Sequence, residues 1–132
     1  MKVAELMQTD LKTIRAGATV ADAIAALVQR RISALPVVDE QRQPIGVVTN
    51  DDVLRASLGH DPEEAGWTPE LTPVAEIMSP WPPFVLADDG VAEAARLMLY
   101  LDLKRVFVVD HGAVVGVLSQ SDVNGAVATA RI

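Results

Sequence analysis

Two stretches of this chain place a hydroxyl and a carboxylate three residues apart, just after a short apolar run that opens with glycine. The first reads Gly46-Val47-Val48-Thr49-Asn50-Asp51-Asp52, the second Gly116-Val117-Leu118-Ser119-Gln120-Ser121-Asp122. Ser or Thr followed three residues later by an acidic residue is a capping box, which satisfies free N–H groups at a helix start. The same junction can present amides, a hydroxyl and a helix N-terminus to a phosphate, and its carboxylate can accept hydrogen bonds from the hydroxyls of a ribose. Lys104 and Arg105 carry a similar double reading. They follow the end of a predicted helix, where positive charge favours the dipole, and they could equally meet phosphate.

Other constellations read as ordinary surface chemistry. Asp88-Asp89-Gly90 fits a solvated turn leading into a helix better than a divalent-metal site. His60 falls in a linker and His111 in a strand–strand turn, neither near a second histidine or a nucleophile in sequence. No Ser/His/Asp set, Walker loop or paired catalytic carboxylate stands out. The chain has no cysteine, which removes disulfides, thiolate metal sites and cysteine nucleophiles. No catalytic residue and no metal ligand is expected, and an enzyme is the least favoured class.

The two junctions exist because the chain is duplicated. Val3–Met7 (Val-Ala-Glu-Leu-Met) returns as Val74–Met78 (Val-Ala-Glu-Ile-Met), 71 residues later. The same shift carries Val37-Val38-Asp39 onto Val108-Val109-Asp110 and Val20-Ala21-Asp22-Ala23 onto Val91-Ala92-Glu93-Ala94. By the glycines the shift is 70, one residue having been lost in a turn, where deletions are tolerated. Each repeat reads as short helix, strand, helix, strand, strand, helix. In the first, Val3–Met7 is a helical lead-in, Thr13-Ile14 a strand, and apolar residues at 20, 24, 27 and 28 keep helical spacing. Ala34–Val38 is a continuous apolar run suited to a buried strand, Ile45–Thr49 another strand, and Asn50–Leu58 a helix. The second repeat predicts Phe84–Leu86, Val91–Leu101, Arg105–Val109, Val114–Ser119 and Gln120–Ala128 in the same order. The expected organisation is one repeat over residues 1–58, a linker over 59–73 and a second repeat over 74–132, in an α/β fold whose pseudo-symmetric halves pack face to face. The linker carries Gly59, Pro62, Gly66, Pro69 and Pro73, and Trp67 within it is expected to pin it to the body.

Half of the 132 residues are hydrophobic, enough for a dense core. Net charge is −7; residues 1–71 hold 7 basic and 11 acidic side chains, residues 72–132 hold 4 and 7. Neither half offers the basic surface that nucleic-acid backbones require. Glu5, Asp10 and Lys12 interrupt any N-terminal apolar run, so no signal peptide is read there, and no segment approaches the roughly 18 apolar residues of a membrane span. A cytoplasmic protein is expected. Leu97, Leu99, Tyr100 and Leu101 make the end of the helix Val91–Leu101 apolar on every side, so a second face is expected to meet another subunit in a homodimer.

The tandem order of elements, the Pro-Val-Val-Asp-like strand and the terminal Gly-x-x-Thr/Ser-x-x-Asp together resemble paired cystathionine-β-synthase (CBS) domains, from Val3 to about Ala128. The resemblance implies a regulatory module that binds adenosine nucleotides such as AMP or ATP in clefts between repeats. Carried onto this chain, it assigns Asp122 to the ribose hydroxyls and Ser119 and Ser121 to ribose or phosphate. Arg105, preceded by Lys104, is assigned to phosphate, although Phe107 stands where the family has proline; Lys12, Thr13 and Ile14 are assigned to adenine. A second, weaker cleft takes Thr49, Asp52, Pro83, Phe84 and Val85. There Ala34 and Ser33 replace the basic pair, and Asp51 replaces the serine and would repel phosphate. The resemblance agrees with a homodimer and with a separate regulated protein as partner. The alternatives are S-adenosylmethionine, a dinucleotide or Mg²⁺ as ligand, or a ligand-free protein-interaction module.

Overall fold

The computed structural model describes residues 1–59 and 68–129; His60 and Trp67 lie outside them. The chain divides into two compact units that do not coincide with the sequence repeats. One comprises Met1–Leu11 with the chain from Pro83 onward, the other Lys12–Pro82. Each unit is therefore built from one repeat's sheet and helices plus the leading segment of the other repeat.

In the Lys12–Pro82 unit, β1 (Ile14–Arg15), α1 (Val20–Arg30), β2 (Ala34–Val38), β3 (Pro44–Thr49) and α2 (Asn50–Leu58) follow in order. The sheet order is β1-β2-β3, the first pair parallel and the second antiparallel. Val74 belongs to this unit's core, with Ile14, Ala23, Leu27, Leu35, Val37 and Val48. Its N–H reaches the Ala18 carbonyl at 2.8 Å, and Val20 N–H reaches Thr72 O at 2.8 Å. The other unit repeats the plan with β4 (Phe84–Leu86), α3 (Val91–Tyr100), β5 (Arg105–Asp110), β6 (Ala113–Ser119) and α4 (Gln120–Ala128), its sheet again parallel then antiparallel. Val3 enters that core beside Val85, Val91, Val106 and Met98, and its N–H donates to Asp89 O at 2.8 Å.

Predicted and observed strands and α-helices agree within a residue at each end, whereas the leading segment expected as a helix over Val3–Met7 is a 3-10 turn over Val3–Glu5, matched by Val74–Glu76. In α1, Val20, Ala23, Ala26 and Leu27 are buried and Val28 is 70% exposed. Two alanines let the helix settle close to the sheet, and the bulkier Val28 turns to the outer face. Asp88-Asp89-Gly90 is a turn: Asp89 Oδ2 accepts from Leu86 N–H at 2.8 Å, and Asp88 meets Lys2 at 3.3 Å in an exposed ion pair. Among the described residues, no cluster of three or more His, Cys, Asp or Glu side chains is arranged to hold a metal ion, and no helix is long and apolar enough to cross a membrane.

Candidate functional site

Both junctions begin with glycines that have no room for a side chain. A Cβ on Gly46 would stand 2.8 Å from Met78 Sδ and 2.9 Å from Ser79 O; one on Gly116 would stand 2.8 Å from both Met7 Sδ and Gln8 O. The methionine could shift, but the backbone oxygen could not. Each glycine thus lets a leading segment lie flush against the last strand of its sheet. The contact is a reciprocal backbone pair, Gln8 with Val117 at 2.8 and 3.0 Å and Ser79 with Val47 at 2.8 and 2.9 Å. This pairing carries the residue after each methionine to the aspartate at the helix start.

Local capping is the same in both units. Thr49 caps α2: its Oγ1 accepts from Asp52 N–H at 3.1 Å, and Asp52 Oδ2 accepts from Thr49 N–H at 2.9 Å. Ser119 caps α4, with Oγ accepting from Asp122 N–H and Asp122 Oδ2 accepting from Ser119 N–H, both at 3.0 Å. Such a cap stabilises a helix start by about 1 kcal/mol.

Beyond the cap the two carboxylates diverge. Asp52 is buried, its side chain 3% exposed. Its Oδ1 accepts from Ser79 Oγ at 2.6 Å and from Arg55 Nη1 at 3.3 Å, and Thr49 Oγ1 donates to Oδ2 at 3.0 Å. Asp122 is half-buried, and among the described residues the side-chain donor to its Oδ1 is Gln8 Nε2, at 3.3 Å. Gln8 itself is exposed.

The cations also separate the junctions. Antiparallel register sets Arg105 opposite Ser119, whereas Ala34 stands opposite Thr49. Gln120 fixes the turn before β5, its N–H donating to Lys104 O at 2.9 Å and its Nε2 to Leu103 O at 2.8 Å. Lys104 and Arg105 are exposed beside the half-buried Ser119 and exposed Ser121. The structure therefore gathers Lys104, Arg105, Ser119, Ser121 and Asp122 at one end of one sheet. Lys12, Thr13 and Ile14 fall in the other unit, where they open a pocket of about 410 Å³ shared with Gln29 and Arg30 of α1. Thr49 and Asp52 likewise lie in the Lys12–Pro82 unit, while Pro83, Phe84 and Val85 begin the sheet of the other. Of the proposed interface residues, Leu99 and Tyr100 are 74% and 87% exposed, Leu101 less so, and Leu97 is partly buried against the core. Ser79, Gln8 and Arg55 were not read as site residues from the sequence.

A family profile described as CBS domain matches residues 3–59 and again residues 74–129. The chain belongs to the CBS domain family. It is 25% identical over 120 residues to an uncharacterized protein of Methanocaldococcus jannaschii, covering 91% of this chain and 40% of that protein. It thus spans well under half of that relative. Among solved structures it resembles the Arabidopsis thaliana protein CBSX2 in complex with AMP, at 26% identity and a TM-score of 0.78 over 99% of this chain and 98% of the other. It also resembles the cytosolic domain of the Mg²⁺ channel MgtE in complex with ATP, at 30% identity and a TM-score of 0.76, covering 95% of this chain and 48% of that one. The fold is the mixed α/β arrangement of CBS pairs, with two three-stranded sheets and four helices among the described residues.

Proposed function

We propose that this CBS pair is a non-catalytic regulatory module that binds an adenosine nucleotide such as AMP or ATP. Asp122 takes the ribose hydroxyls, Ser119 and Ser121 meet ribose or phosphate, Arg105 with Lys104 neutralises phosphate, and Lys12, Thr13 and Ile14 contact adenine. The observation that carries this reading is the register of β5 with β6, which pairs Arg105 with the capping residue Ser119 across the strand ends. One strand end thereby offers a cation, hydroxyls and a carboxylate, the three groups that a nucleotide's phosphate and sugar require. The AMP-bound and ATP-bound relatives support the ligand class. The module works as a homodimer through α3 and signals to a separate protein, which must bind the free and occupied states with different affinity.

Thermal denaturation with AMP, ADP, ATP, S-adenosylmethionine and cyclic dinucleotides tests the reading. A ligand at 100 times its Kd stabilises by about 2.7 kcal/mol, so adenosine nucleotides should raise the melting temperature. A response to none of them would favour the ligand-free interaction module. For the dimer, Tyr100→Glu should yield monomers by light scattering while the wild type scatters as a dimer at micromolar concentration; a monomeric wild type contradicts it.

A further inference from the structure

We propose that the residue after each leading-segment methionine decides which aspartate can receive a ribose: Ser79 locks Asp52, whereas Gln8 is an exchangeable donor that a ribose hydroxyl displaces from Asp122. This deepens the nucleotide reading and rests on it. The two positions are equivalent in backbone, since Gln8 and Ser79 make the same reciprocal pair with the residue after the junction glycine. Only the side chains differ. Ser79 is short, partly buried and hydroxylic, and its 2.6 Å bond to Asp52 Oδ1 falls in the range of strong, charge-assisted O–H···O⁻ bonds. Removing that donor would leave a carboxylate that is 3% exposed short of a partner, which is costly for a buried charge.

Gln8 reaches Asp122 Oδ1 from an exposed position through an amide at 3.3 Å, beyond the usual 2.9–3.0 Å of N–H···O bonds. Once displaced, that amide can bond to solvent, so a sugar hydroxyl replaces it at little cost. A short hydroxyl at position 8 would instead be held where Ser79 is held in the other unit and would close Asp122. One nucleotide per chain follows, with residue 8 setting ribose recognition.

Calorimetric titration of the full chain with AMP and with 2′,3′-dideoxy-AMP tests this. The wild type should bind a single AMP and prefer it to the dideoxy form by about tenfold or more, the worth of hydrogen bonds to a charged group. Gln8→Ser should abolish that preference, because its carboxylate is then satisfied from within. Gln8→Ala, which removes the donor and adds no lock, should keep it. Uniform destabilisation would weaken both ligands alike and leave their ratio unchanged, so the ratio isolates the lock from any loss of fold. An undiminished preference in Gln8→Ser, its loss in Gln8→Ala, or two AMP per wild-type chain overturns the inference and leaves the nucleotide reading standing. Failure of the wild type to bind AMP overturns both.

Discussion

Asp52 and Asp122 occupy the same place in two copies of one motif, and each closes a capping box on the helix that follows. Asp52 is then sealed by the Ser79 hydroxyl and the Arg55 guanidinium, while Asp122 keeps one oxygen whose partner is a long contact from the exposed Gln8. Opposite the first cap stands Ala34 and opposite the second Arg105. Duplication preserved the backbone and let the side chains differ: one carboxylate joins a leading segment to a helix through a short hydroxyl bond, the other meets its leading segment only through a long amide contact. A shared motif therefore states what a junction can do, and its neighbours across the sheet state what it does.

Stability should break the symmetry most visibly. Asp52→Ala removes the acceptor for Ser79, Arg55 and Thr49 from a buried site and should cost roughly 3 kcal/mol in urea denaturation, within the range for charged hydrogen bonds lost in the interior. Asp122→Ala should cost only about 1 kcal/mol, the worth of a cap. Equal losses would mean that the two carboxylates are structurally interchangeable. The glycines sharpen the comparison from the other side, because there the units are alike. Gly46→Ala and Gly116→Ala both drive a Cβ to within 2.9 Å of a backbone oxygen, and each should lose about 1–3 kcal/mol, as for other overpacked sites. A neutral result at either would show that the leading segment does not lie flush against that strand.

Much of this was legible in the sequence. The duplication, the continuous apolar run of β2, the capping boxes and the loss of the basic pair at Ser33 and Ala34 are written in residue types at fixed spacings. The hydrogen bond from Ser79 to Asp52 was not, because it spans 27 residues and depends on a backbone pair that neither segment encodes alone. The membership of the compact units was hidden for a related reason. Val3 and Val74 read alike, and nothing local says that each joins the core of the opposite repeat.

The central claim is that the Asp122 junction holds a nucleotide's sugar, and titration of Asp122→Asn with AMP tests it most directly. Asparagine keeps the shape of the side chain and loses the charge-assisted acceptor, so affinity should fall by about 1.5–3 kcal/mol, roughly ten- to hundredfold, while the unfolding free energy changes by no more than about 1 kcal/mol. AMP binding unchanged by Asp122→Asn would contradict the account and leave Ser119 and Asp122 as capping chemistry alone.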